Sequence, residues 1–153
     1  RTHFLDAVSG EALTKEEAAM TRITPLGEGQ DLTAPAGHYS PVVVGGGLIF
    51  ISGQLPATTL DRDACFEAQV RSVLDSLLGV LNSCGGQPED LLKVTAYIVG
   101  VERWGEFNAI YGEVLGMVKP ARTVVPLTEL HYGWQIEIDA VALHRASVPR
   151  IEC

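Results

Sequence analysis

One arginine and two carboxylates are the residues of this chain whose types and spacing could do chemistry. Pro120-Ala121-Arg122-Thr123 sets an arginine at the mouth of an apolar strand containing Val124, Val125 and Leu127. Gln135-Ile136-Glu137-Ile138-Asp139-Ala140 sets Glu137 and Asp139 on one face of the next, roughly 6.5 to 7 Å apart because alternate strand residues share a face. The planar fork of an arginine grips a carboxylate bidentately, and a side-chain carboxylate not paired with it can hold a water or move a proton. Mutual repulsion and burial raise the pKa of one acid of such a pair, which suits a proton-transfer residue. This is a minimal set for hydrolysing a small carboxylated substrate.

Other chemistries find less support. His3, His38, His131 and His144 are scattered, with no i, i+4 pair to face a metal, and Cys65, Cys84 and Cys153 are an odd set without C-x-x-C spacing. Neither a disulfide framework nor a structural zinc site is expected, and no metal or organic cofactor; a reducing, cytoplasmic setting fits best. The net charge of −8 repels phosphate backbones and anionic membranes, so nucleic acid is not an expected partner. The longest apolar run, from Pro41 to Ile51, is broken by Gly45, Gly46 and Gly47 and falls short of the roughly 20 residues that span a bilayer. The first residue is arginine rather than methionine, as expected of a processed or truncated product, and no signal-peptide stretch is visible.

The elements that must position these residues follow from periodicity. With 153 residues, 46% of them apolar, the chain suffices for one domain with a real core. Residues 1–35 are polar and broken by Pro25, Gly27, Gly29 and Pro35; Thr14-Lys15-Glu16-Glu17 has capping-box spacing, so one short surface helix at most is expected in this linker or peripheral arm. From Tyr39, strands at Val42 to Val44 and Leu48 to Leu55 flank a Gly45-Gly46-Gly47 turn and read as a hairpin. Asp61 and Asp63 are candidate N-caps for a helix whose apolar stripe runs Phe66, Val70, Val73, Leu74, Leu77, Leu78 and Leu81 and ends at Gly85-Gly86. Lys93 to Val99 reads as a strand, Trp104 to Leu115 as a second helix, and Arg122 to Leu127 and Gln135 to Leu143 as the closing strands. That order predicts an α+β fold, a mixed sheet with both helices on one face. In the last strand Ile136, Ile138, Ala140 and Ala142 point one way while Glu137, Asp139, Val141 and Leu143 point the other, so the second face also needs burial and self-association is expected.

Several motifs, in order, carry a family resemblance. Gly37-His38-Tyr39-Ser40, Phe50-Ile51-Ser52-Gly53-Gln54-Leu55-Pro56, Phe107-Asn108-Ala109-Ile110-Tyr111, Pro120-Ala121-Arg122 and Ile136-Glu137-Ile138 are similar to the segments that mark the RidA family of reactive-intermediate deaminases, over about residues 36–145. The resemblance implies a chorismate-mutase-like subunit in a homotrimer with three sites in the clefts between neighbours, and domain limits of 1–35 for an extension unusual in the family, 36–147 for the domain and 148–153 for a tail. It implies hydrolysis of small 2-enamino or 2-imino acids to 2-keto acids and ammonia. Arg122 would bind the carboxylate, Glu137 would hold the attacking water, and Asp139 would be structural. Two readings stand for each remaining position: Tyr39 closes over the substrate or packs an interface, Ser52 lines the cleft or ends a strand, and Asn108 lines the cleft or packs a helix. The chain departs from the commonest pattern at Val124, where many relatives carry cysteine, which excludes thiol chemistry there; His38 replaces the usual proline. The alternatives are a relative acting on a larger substrate, as aminomuconate deaminases do, with Trp134, Tyr132 and the extension shaping its pocket, and a non-catalytic trimeric module that binds small metabolites.

Overall fold

A tight hairpin begins the architecture. In the computed structural model, which describes residues 37–145 and the backbone of Thr24–Pro25, β2 (Val42–Gly45) and β3 (Leu48–Gln54) pair antiparallel across a two-residue turn. Gly46 and Gly47 both take positive φ, 60° and 77°, a backbone open to glycine that matches the right-handed twist of the flanking strands. The expected capping box at Thr14 to Glu17, Cys153 and the tail 148–153 lie outside the described residues. Within the segment expected to be a linker or arm, Thr24–Pro25 form a short β1 that pairs antiparallel with β2, so this part of the extension extends the sheet.

Two helices follow the apolar stripes read from the sequence. The first, α1 (Phe66–Ser83), buries Phe66, Val70, Val73, Leu74, Leu77 and Leu81 on one side. Its N-cap is Cys65, without a side-chain capping bond, and not Asp61 or Asp63. Asp61 serves the turn before the helix instead: its Oδ1 accepts from the Asp63 amide at 3.0 Å and its carbonyl from the Ala64 amide at 3.0 Å. The local rule that aspartate caps helices is outweighed here by a competing Asx-type turn. The second helix, α2 (Trp104–Leu115), buries Phe107, Ile110, Tyr111 and Leu115.

Strands β4 (Leu91–Val99), β5 (Ala121–Leu127) and β6 (Ile136–Leu143) complete a mixed sheet in the order β1-β2-β3-β6-β4-β5. Only β4 and β5 are parallel, joined by the α2 crossover; the other neighbours are antiparallel. Both helices cover one face, where Ile49, Ile51, Val94, Ile98, Ile136 and Ile138 are buried with them. Gln69, fully buried on α1, donates to the Ala64 carbonyl at 2.9 Å and accepts from the Gln135 amide at 3.0 Å, fixing the start of β6 to the helix layer. The opposite face is uncovered and mixed: Phe50 and Leu143 are exposed on it, beside Glu137 and Asp139. No helix among the described residues is long and apolar enough to cross a membrane.

Candidate active site

The two halves of the expected catalytic set lie on opposite faces of the sheet. Strand β4 intervenes between β5 and β6, with Val94 paired to Arg122 on one side and to Ala140 on the other. Arg122 therefore shares the helix-covered face with the buried Val94 and Ala140, whereas Glu137, an odd number of residues from Ala140, faces away. Two strand spacings across and three residue rises along the sheet separate their Cα atoms by roughly 14 Å. With β5 paired to β4 rather than β6, one chain presents the arginine and the carboxylates on different faces.

On the helix side, α2 builds a cradle for the arginine. Arg122 Nη2 donates to Asn108 Oδ1 at 2.8 Å, and its Cζ lies 4.7 Å from the Tyr111 ring centroid and 5.6 Å from that of Phe107. Stacking on aromatic faces and one amide acceptor hold the guanidinium without neutralising it, and Arg122 makes no ion pair among the described residues. Val124 packs against the core on the same face. The Tyr111 phenol is pushed up to about 12 by burial, with the Arg122 charge pulling the other way.

On the open side, Glu137 is half-buried and lies against Gly53 of β3: a Cβ there would fall 2.0 Å from Glu137 Oε1. Burial raises the Glu137 carboxyl above its ordinary value; the charge of His131 opposes the rise and that of Asp139 adds to it. Tyr97, the β4 partner of Glu137 in register, donates its hydroxyl to Asp139 Oδ2 at 3.1 Å. Asp139 is thereby engaged with a neighbouring strand while Glu137 has no side-chain hydrogen bond among the described residues. Ser52 Oγ donates to the Ser40 carbonyl at 2.7 Å, and its amide donates to the Pro41 carbonyl at 3.0 Å, so Ser52 ties β3 to the segment carrying Tyr39. Tyr39 itself is exposed. Asn108 thus accompanies Arg122, while Ser52, near the end of β3 and alternating with the buried Ile49 and Ile51, lies on the open face.

Five residues had no role assigned from the sequence. Tyr97, His131, Gly53, Phe107 and Tyr111 each touch or bias an expected site residue, and three had a local signal: Gly53 in the Ser-Gly-Gln segment, and Phe107 and Tyr111 in the segment around Asn108. Tyr132 and Trp134, expected to shape a pocket, differ: Tyr132 is exposed but Trp134 is buried. Arg62 covers both rings, 5.5 and 5.1 Å from their centroids, and donates to the Tyr132 carbonyl. This clamp holds Tyr132 at a φ of 62°, the only positive φ outside glycine among the described residues, in the turn that leads into β6. Trp134 is buried in this turn beneath Arg62. Among the described residues no group of three or more His, Cys, Asp and Glu is placed to hold a metal.

Comparison with known proteins bears on this geometry. A family model described as endoribonuclease L-PSP matches residues 30–144, most of the chain. The chain belongs to that family, the RidA/YjgF proteins. Among its family relatives, a RutC family protein of Aquifex aeolicus is 35% identical over 114 residues, covering 71% of this chain and 90% of that protein. Another, from Pyrococcus horikoshii, is 32% identical over 111 residues, covering 71% of this chain and 88% of the relative. The crystal structure of the Escherichia coli YjgF gene product aligns with a TM-score of 0.67 at 30% identity, over 73% of this chain and 92% of that one. Escherichia coli TdcF with bound serine aligns with a TM-score of 0.67 at 25% identity, over 72% and 91% of the two chains. The mixed sheet with two helices on one face is the fold of these RidA/YjgF structures.

Proposed function

We propose that this RidA/YjgF protein hydrolyses small 2-imino and 2-enamino acids to 2-keto acids and ammonia, at a cleft that takes Arg122 from one copy of the chain and Glu137 from the next. The observation that carries the reading is that each half is complete and left with spare chemistry. Among the described residues, Arg122 is a cation held by Asn108 and two rings with no carboxylate partner, and Glu137 is a half-buried carboxyl with a raised pKa and no side-chain hydrogen bond. The two lie on opposite faces of one sheet, so a shared substrate requires two chains. The open face supplies a reason to associate: exposed Phe50 and Leu143 flank it, and burying such a patch is favourable. A cyclic homotrimer closes these heterologous contacts with three equivalent sites.

In this mechanism Arg122 grips the substrate carboxylate, and Glu137 accepts a proton from water as its oxygen bonds to C2 of the imine. Glu137 passes that proton to the imine nitrogen, giving a carbinolamine. It then takes the carbinolamine's hydroxyl proton and delivers it to the nitrogen as the C–N bond breaks, releasing ammonia and leaving the keto acid. An enamine enters after protonation at C3. The raised carboxyl suits this exchange, because proton transfer is most effective when the group's pKa approaches the working pH. Imines hydrolyse readily in water, so positioning and proton transfer, the latter worth about 10²- to 10⁴-fold, suffice.

TdcF, whose structure holds serine, supports a small ligand bearing a carboxylate, and it equally favours a module that binds without catalysis. Ribonucleolysis, named in the family description, fits less well with a net charge of −8 and paired carboxylates on the open face. Mixed assemblies test the proposal. Arg122→Ala and Glu137→Gln chains, each inactive alone, should regain imine hydrolysis when coexpressed under separate tags, because a mixed trimer rebuilds about one intact site in three. The assay follows keto acid formed from a dehydratase-generated imine while semicarbazide competes for it. No recovery would place both residues in one chain's site, and an unmutated protein that binds keto acids without hydrolysing imines would make it a binding module.

A further inference from the structure

Tyr111 carries a hydroxyl that no step above uses. Its side chain is only 6% exposed, and the hydroxyl oxygen is buried without a hydrogen-bond partner among the described residues. The ring packs against Phe107, with centroids 5.4 Å apart, and beneath the Arg122 guanidinium. A phenylalanine would fill the same space and make the same stack without burying an unsatisfied polar group, so the hydroxyl destabilises the unliganded chain. Burial holds the phenol at about 12, which keeps it a donor throughout the neutral range. What it lacks is an acceptor.

The carboxylate assigned to Arg122 would bring one. Two carboxylate oxygens offer about four lone-pair sites, of which an arginine fork fills two. Arg122 already spends one N–H on Asn108 and lies directly over the ring that bears the orphaned hydroxyl. We propose that Tyr111 is a further binding residue of this site, its hydroxyl donating to the carboxylate that Arg122 holds once the guanidinium shifts from the ring to the ligand. This rests on the reading of Arg122 as the carboxylate receptor. It would make Tyr111 a group retained for affinity at the expense of stability.

The signature is a pair of effects of opposite sign. In the full-length protein, Tyr111→Phe should raise the Tm without ligand, because it removes an unsatisfied hydroxyl. It should also weaken pyruvate binding about tenfold to a hundredfold, the order expected for one hydrogen bond to a charged group, while binding of the uncharged analogue pyruvamide falls by less. Calorimetric titration of both probes and thermal unfolding supply the readouts. Unchanged pyruvate affinity, an equal loss for both probes, or a lowered Tm would each overturn the proposal, the last because it shows the hydroxyl already bonded within the fold. Arg122→Ala separates this from the reading beneath it. If pyruvate still binds Arg122→Ala normally, the carboxylate-receptor reading fails; if that variant loses pyruvate and Tyr111→Phe does not, only the role of the hydroxyl fails.

Discussion

Gly53→Ala is the smallest change that should silence the proposed catalytic carboxyl without touching it. A Cβ built on Gly53 lies 2.0 Å from Glu137 Oε1 and 3.0 Å from its Cδ, where real Cβ contacts below 3.0 Å essentially never occur. With the backbone in place the carboxylate must therefore retreat by at least about 1 Å; Gly53 has no positive φ to strain and lies where the β3–β6 register shifts, between Ile51 and Gln54. A misplacement of about 1 Å at a group that positions a reacting water can cost about 10²-fold in rate. Stability should change little, because the displaced atoms are the end of a flexible side chain, and carboxylate binding at Arg122 should persist. The measurement is kcat for semicarbazide-competed imine hydrolysis, with pyruvate affinity and Tm on the same preparations. An alanine variant with parental kcat and Tm would refute the reasoning, for it would mean that the position of the Glu137 carboxyl does not matter to turnover.

Three further outcomes are expected. Glu137→Gln should lower turnover by about 10²- to 10⁴-fold while sparing ligand affinity, and Asp139→Asn should cost less, as seen in kcat and pyruvate Kd; the reverse order would reassign the two acids. The same Glu137→Gln change should stabilise the fold at neutral pH: a carboxyl raised in the folded state contributes fully below its unfolded pKa and loses that contribution as pH rises through the folded value, so the gain in Tm should fade on acidification. Arg122→Lys keeps the charge but loses the two-pronged grip, and with charge-assisted bonds worth roughly 1.5 to 3 kcal/mol, kcat/KM should fall by about tenfold to a hundredfold, with Arg122→Ala worse. Unchanged kcat/KM in the alanine variant would remove the carboxylate from the substrate's recognition.

Much of this protein follows from its residues read in order. The stripe from Phe66 to Leu81 could only be a helix with one buried side, and the alternation from Ile136 to Leu143 could only be a strand with two unlike faces, because side-chain direction along a single element is set by its own backbone period. Two glycines with positive φ close the hairpin as the spacing suggested. The motifs around Ser52, Asn108, Arg122 and Glu137 pointed to the family whose model matches residues 30–144.

What only the tertiary structure decided is how those elements face one another. A period of two says which residues of one strand share a face, but it carries no information on the register or parity of one strand relative to another. That is set by pairings between distant segments. The placement of β4 between β6 and β5 turned Arg122 and Glu137 to opposite sides of the sheet, and the packing of α2 against β5 put Tyr111 under the arginine. The approach of β3 to β6 brought Gly53 against Glu137. Each depends on backbone hydrogen bonds or side-chain contacts formed only when the chain is folded, which no local pattern in the sequence specifies.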